Sequence, residues 1–367
     1  MKIAIVGPAH PYKGGGARHT TELAHRLAAA GHDVIIESWR AQYPSRLYPG
    51  QQTVDVPEGE PYPRTRRRLA WYRPDGWLAD GRRLKAADLV VFAYLTPLQA
   101  PPYLAIMAGL GRSVGQHGPR TAVICHNVLP HERRPGDIPL TRALLSRADT
   151  VITHSAAQAA QARDLAPAAT VRTVAMPPHL PGKNHGAERA GLSAPATASL
   201  LFFGIVRPYK GLDVLLRALA QAPAHATLTV AGEFWGGTAD TEKLIAELGL
   251  ADRVTLRPGY VPADEIPALF GAADALVMPY REATASQNAL LAFSHGVPVI
   301  TTTAGALAEA VRDGVDGLTC APGDTEDLLR VLKQISDPEI ARRLRAGVRP
   351  VDPEPGWAAY LRVLLAG

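Results

Sequence analysis

Short apolar runs recur along the entire chain, and stretches with helical spacing separate them. In the first half the runs are residues 2–6, 33–37, 89–93, 121–125, 150–153 and 171–174. In the second they are 199–203, 227–231, 254–256, 275–278, 297–301 and 317–319. Amphipathic stretches such as 20–30, 213–221, 241–248 and 324–335 lie between them. Strands that are apolar on both faces need cover on both faces, so the pattern predicts parallel α/β sheets flanked by helices. Twelve runs in two batches of six predict two doubly wound domains rather than one twelve-stranded sheet.

The alternation fails at 177–199. Pro177-Pro178, Pro181-Gly182 and Asn184-His185-Gly186 are followed there by Ala, Ser, Thr and Pro without a period. The expected division is a domain over 1–180, a linker over 181–198 and a domain over 199–349, with a final helix in 350–367. Residues 357–365 read as a short amphipathic helix that could pack on either domain. Residues 40–75 hold Pro, Gly, Tyr and Arg without a period and read as a long functional loop.

With 47% hydrophobic and 20% charged residues in 367, the chain has enough apolar material for two cores. No apolar run approaches the roughly 18–20 residues that cross a bilayer. The first residues read as a strand and not as a signal peptide. Cys125 and Cys320 are too few and too far apart for a disulfide framework or a cysteine zinc site, which suits a reducing cytoplasm. The net charge of +5 is uneven: residues 1–180 hold 22 Lys/Arg against 13 Asp/Glu, and the remainder 17 against 21. The first half is therefore the expected face for an anionic partner.

Five motifs could carry chemistry. Gly14-Gly15-Gly16 lies between the first strand and the first helix, where the backbone can approach a ligand and helix N–H groups are free. Its spacing is not the G-x-G-x-x-G of a dinucleotide site. Gly204-Ile205-Val206-Arg207-Pro208-Tyr209-Lys210-Gly211 follows a strand, which puts Arg207 and Lys210 at a carboxyl end. A guanidinium fork and a point-charge ammonium together suit a diphosphate. Pro279-Tyr280-Arg281-Glu282 leads into a helix that Thr284 or Ser286 could cap, with the amides of Ser286, Gln287 and Asn288 toward an anion. Glu282 could accept hydrogen bonds from hydroxyl groups there. His126-Asn127 ends another strand, and such a histidine, taken alone, is more often a structural hydrogen-bond partner than a catalytic group. His131, His154, His179, His185 and His295 show no ligand spacing, so no metal site is expected. Finally, Arg64, Arg66, Arg67, Arg68, Arg73, Arg82, Arg83 and Lys85 interleave with Trp71, Tyr72 and Trp77. That composition reads as a solvated face or as contact with an anionic membrane, and only weakly as a nucleic-acid site.

In order and spacing these motifs resemble the family 4 retaining glycosyltransferases of GT-B fold, over nearly the whole chain. Gly259-Tyr260, Ala273-Asp274, Gly296-x-Pro298-Val299-Ile300, Ala304-Gly305 and Asp313-Gly314-x-x-Gly317 add to the match. The resemblance implies two facing Rossmann-like domains and a C-terminal helix crossing back to the first. It implies a hexosyl group moved from a nucleotide diphospho-sugar, with a UDP or GDP donor, to a sugar, glycoside or lipid-linked acceptor. No metal or other cofactor and no nucleic acid is implied; peripheral contact with an anionic membrane through 64–85 is compatible with it. By the same likeness Arg207 and Lys210 hold the diphosphate, with Gly204 beside them, and His126 lies near the transferred sugar. Gly259 and Tyr260 meet the nucleobase, Ser286 to Asn288 face phosphate and sugar, and Gly15 and Gly16 line the donor side. Retention in the family is attributed to front-face attack assisted by the leaving phosphate. The family's two glutamates, seven residues apart, are absent: Ala283 and Leu291 stand in their places, and Glu282 lies one residue early. The second of these usually holds the ribose hydroxyls. A branch of the family shares the Pro-Tyr-Arg-Glu string and this loss. A non-catalytic sugar-nucleotide-binding partner and a sugar-nucleotide epimerase are the alternative readings on the same fold.

Overall fold

In the computed structural model, the described residues are 1–44, 52–54, 59–111, 118–130, 133–179, 198–283, 286–349 and 351–366. The chain forms two compact units. One comprises Met1–His179 with Pro353–Gly367, the other Leu180–Asp352. Of the expected linker, 181–197 lie outside the described residues, as do His131, His185 and Thr284.

In the first unit the strands are β1 (Lys2–Val6), β2 (Asp33–Ala41), β3 (Thr65–Ala70), β4 (Leu89–Tyr94), β5 (Arg120–Cys125), β6 (Thr150–Thr153) and β7 (Thr170–Thr173). The helices are α1 (Gly15–Ala29), α2 (Pro74–Arg83), α3 (Ala100–Gly109), α4 (Asp137–Leu145) and α5 (Ala156–Leu165). All seven strands are parallel, in the order β3-β2-β1-β4-β5-β6-β7. Strand periodicity sorts β1 between two cores: Ala4 and Val6 face one, Ile3 and Ile5 the other. Both cores are closed by helices, which is why the strand shows no polar face.

One strand was not expected. β3 lies inside the stretch 40–75, which reads from its sequence as loop throughout. Its Arg66, Arg67 and Arg68 are exposed and only Leu69 and Ala70 are buried, so no apolar run marks it. It is an edge strand, and a row of charges is how such an edge avoids pairing with another chain.

The second unit holds β8 (Ala198–Phe203), β9 (Ala226–Gly232), β10 (Val254–Pro258), β11 (Ala275–Met278), β12 (Val299–Thr302) and β13 (Gly317–Cys320). Its helices are α6 (Leu212–Gln221), α7 (Ala239–Glu247), α8 (Ile266–Gly271), α9 (Asn288–Ser294), α10 (Thr325–Ile335) and α11 (Pro338–Gly347). The sheet is again all parallel, in the order β10-β9-β8-β11-β12-β13. Asp324 and Asp337 cap α10 and α11 by accepting two backbone N–H bonds each.

The last helix, α12 (Glu354–Leu365), belongs to the first unit. Trp357, Tyr360 and Leu364 enter the same core as Ile3 and Ile5. Trp357 Nε1 donates to Pro178 O at 3.0 Å, and Arg26 donates to both carboxylate oxygens of Glu354 at 2.6 Å.

Candidate functional site

In each sheet the chain first winds outward to one edge, then returns to the middle and winds to the other. The two central strands therefore send their connections to opposite faces, and a crevice opens beyond their carboxyl ends. In the second unit those strands are β8 and β11. The segments beyond them are Gly204–Gly211 and 279–287, which hold two of the sequence motifs.

The first segment turns at Gly204, forms a short 3-10 turn over Pro208–Lys210, and enters α6 through Gly211. Arg281 fastens it from the β11 side. Its guanidinium donates to Asp213 through two bonds of 2.8 and 2.6 Å and to Pro208 O at 2.9 Å. Its backbone N–H donates to Tyr209 O at 2.7 Å. Gly211 has φ +67°, and a Cβ there would lie 2.1 Å from Pro279 O. Gly211→Ala is therefore expected to destabilise the second unit by about 1–2 kcal/mol from backbone conformation alone, with the clash in addition. A melting temperature lowered by about 5 °C or more would show it.

The fastening brings cations and polar groups together over Gly204. A Cβ at Gly204 would sit 3.3 Å from Asn288 Nδ2 and 3.6 Å from Lys210 Nζ. Asn288 Nδ2 is held in turn by Phe203 O at 2.9 Å. Lys210 Nζ lies 5.3 Å from the centre of the Tyr280 ring, and the Arg207 guanidinium lies 4.5 Å from that of Trp235. Burial pulls the Lys210 ammonium below its ordinary pKa, and the Arg207 charge pulls in the same direction. Tyr280 is buried and its phenol is pushed up to about 12, although bonds with the Ser286 and Asn288 side chains oppose the shift. The site is thus a pair of adjacent positive charges, one of them short of solvent. Such a place favours an anion that can neutralise both.

Ser286 Oγ accepts from the Asn288 N–H at 3.3 Å, and Gln287 stands immediately before α9. Glu282 is exposed in the same connection. Gly259 and the 37%-exposed Tyr260 follow β10, next to β9, and the Gly259 N–H donates to Gly232 O at 3.0 Å. Leu291, which occupies the place of the family's second glutamate, is buried in the core with Ala292 and Phe293. It offers nothing polar to a ligand.

In the first unit Gly15, Gly16 and His126 lie at the carboxyl ends of the strands. Gly14 and Gly15 are exposed ahead of and at the start of α1. Gly16 is buried: a Cβ there would fall 2.2 Å from Leu95 Cδ2, so this glycine also lets α1 pack against the segment after β4. His126 follows β5, and its backbone N–H donates to Tyr94 O at 2.9 Å. Its ring belongs to a cluster with His19, His154 and His179, none of which the sequence groups. His19 Nδ1 and His179 Nε2 share a hydrogen bond of 2.9 Å, and the His19 ring lies 5.1 Å from that of His126. Trp357 stacks on His19, and Tyr360 stacks on His154. Among the described residues no group of His, Cys, Asp or Glu is arranged to hold a metal ion.

The basic string 64–85 is largely occupied with its own fold. Arg64 pairs with Asp33, Arg66 with Glu37, Arg73 with Asp75 and Arg83 with Asp80, and Arg67 donates to His10 O. Trp77 donates to Ala70 O. Trp71 and Tyr72 are 44% and 52% exposed, with their rings edge to face. Among the described residues no helix is long and apolar enough to cross a membrane.

The comparisons with known proteins cover both units. The Glycosyltransferase Family 4 pattern matches residues 13–177, and the Glycosyl transferases group 1 pattern matches residues 197–337. The chain is 32% identical over 262 residues to D-inositol 3-phosphate glycosyltransferase 1 of Catenulispora acidiphila, covering 65% of this chain and 62% of that one. The matches to two further D-inositol 3-phosphate glycosyltransferases, of Nocardia farcinica and Mycolicibacterium smegmatis, cover 53% and 43% of their lengths. The chain thus spans about three fifths or less of these curated relatives. In fold it is similar to sucrose-phosphate synthase from Thermosynechococcus elongatus, with a TM-score of 0.72 at 20% identity, over 100% of this chain and 97% of that one. It is equally similar to HepE of Anabaena in complex with UDP and glucose, with a TM-score of 0.72 at 18% identity and 99% of each chain covered.

Proposed function

The chain belongs to the family 4 glycosyltransferases and has their GT-B fold, and from that premise we propose that it moves a hexosyl group from a nucleotide diphospho-sugar to a hydroxyl acceptor. The observation that carries this reading is the pair Arg207 and Lys210 on the connection beyond the carboxyl end of β8, with Lys210 over Gly204 and the Tyr280 ring, Arg207 on the Trp235 ring, and the Arg207 charge felt at Lys210. Breaking the bond between sugar and phosphate leaves charge on the diphosphate. Preorganised cations stabilise the additional negative charge of the departing diphosphate more than they stabilise the diphosphate still esterified to the sugar, which is the condition for catalysis. The departing phosphate itself can accept the acceptor's proton on the same face. Configuration is then retained without a protein base and without a metal. Glu282 is assigned to sugar hydroxyls and Tyr260 to the nucleobase.

The HepE structures hold UDP, with glucose or as UDP-glucose, which favours a uridine donor here; GDP is the next choice. The acceptor is assigned to the first unit, whose 1–180 segment carries the excess positive charge. An acceptor bearing a phosphate, free or on a lipid, suits that charge, and the curated relatives are named for inositol 3-phosphate.

The test is a thermal-shift panel of UDP, GDP, ADP and dTDP and their common sugars, with and without magnesium. One nucleotide is expected to raise the melting temperature in the absence of metal, and the shift should vanish in Arg207→Ala. No shift with any of them overturns the donor assignment and moves the protein to a non-catalytic role.

A further inference from the structure

The donor site proposed above needs Arg207 held in one place, and the structure offers a holder on the neighbouring strand's connection. β8 and β9 remain zipped beyond their last strand residues. Gly204 N–H donates to Ala231 O at 2.9 Å, Val206 N–H to Glu233 O at 2.8 Å and Trp235 N–H to Val206 O at 3.3 Å. Val206 and Phe234 form a parallel bridge, so the next residues along, Arg207 and Trp235, are brought alongside each other. Gly232 permits this approach, since a Cβ there would lie 2.0 Å from Gly204 O. The Arg207 guanidinium then rests 4.5 Å from the centre of the Trp235 ring.

We propose that Trp235 is a positioning residue: its indole face holds the Arg207 guanidinium where the donor's diphosphate is bound. The proposal rests on the donor reading and deepens it. A long arginine side chain on a surface loop samples many rotamers, and each must be given up when an anion binds. A ring beneath the guanidinium removes much of that freedom beforehand. It attracts the cation through its negative face while leaving the N–H edge open to phosphate oxygens. Lys210 lies above the Tyr280 ring in the same way, so both cations rest on aromatic faces fixed by separate strands.

The test measures nucleotide binding by calorimetry in Trp235→Met and Trp235→Phe. The probes are UDP and UMP, or GDP and GMP if the panel selects guanine. Met keeps apolar bulk but lacks a ring face; Phe keeps a smaller face. Trp235→Met is expected to weaken UDP binding about tenfold and UMP binding by no more than about twofold, because the monophosphate lacks the group Arg207 is held for. Trp235→Phe is expected to stay within about threefold of wild type for both. If the Met protein fails to fold, Trp235→Leu serves the same comparison. Equal losses for diphosphate and monophosphate, or no loss in the ringless variant, would mean that Trp235 merely fills space, and would overturn the inference while leaving the donor reading intact. A wild-type protein that binds none of the diphosphates overturns both.

Discussion

Arg207→Ala and Lys210→Ala are each expected to lower turnover by about a hundredfold or more, with the fold unchanged. That is the usual magnitude for removing one preorganised group that stabilises transition-state charge. The two residues should contribute differently. Arg207 is half-buried and supported by a ring, so Arg207→Lys keeps a charge but loses both the fork and the stacking surface. Lys210 sits over Gly204 and beneath no carboxylate among the described residues, and its ammonium is already short of solvent. Its pKa is below the ordinary lysine value, so unliganded protein should lose the charge earlier than usual as pH rises. Nucleotide affinity should then fall on the alkaline side, and the bound diphosphate should draw the pKa back up. Donor consumption followed against pH in wild type and both variants measures all of this. Near-normal turnover in both alanine variants would remove the mechanism.

Arg207 and Lys210 were legible in the sequence because everything that places them is local. A strand, a glycine and a helix start fix their position within a dozen residues. Twelve of the thirteen parallel strands were legible for the same reason: each announces itself as an apolar run. What was not legible depends on partners far along the chain. Arg281 and Asp213 are 68 residues apart, and their bidentate bond appears only when β8 and β11 become neighbours. Trp235 stands in an ordinary Gly-rich connection until the β8–β9 register sets it beside Arg207. β3 was hidden by its own arginines, and those same arginines suggested a charged surface that the fold has partly neutralised with Asp33, Glu37, Asp75 and Asp80. Charge counting along a sequence sees one member of each pair at a time.

Four buried imidazoles of the first unit, those of His10, His19, His126 and His154, are the largest such surprise, and they predict acid lability. His10 and His154 are lowered to about 4, chiefly by burial. His19 and His126 are held well below the ordinary value, again by burial first and then by neighbouring imidazoles. The Nε2 atoms of His19, His126 and His154 are buried without a hydrogen-bond partner among the described residues, so a proton on any of them would meet no acceptor. In the unfolded chain each titrates near 6.5. For His10 and His154 the unfolded state therefore takes up protons as pH falls below about 6.5, while the native state does not until about 4; His19 and His126 shift in the same direction. Their stabilisation is complete above that upper limit and is lost through this window, at about 1.4 kcal/mol per pH unit for each histidine. Two histidines alone, over 2.5 units, remove about 7 kcal/mol, which is comparable to the whole stability of a domain. The first unit, including α12, whose Trp357 and Tyr360 stack on this cluster, should accordingly unfold well before pH 4. In the second unit His295 is likewise lowered by burial. Denaturant titrations at pH 7.5, 6.0 and 5.0 should show the midpoint falling steeply, and His154→Gln, which keeps a neutral polar side chain, should flatten the slope by about one proton. A midpoint that stays constant between pH 7.5 and 5.0 would mean that these imidazoles are hydrated or already charged in the native protein, and that the first unit is not sealed around them.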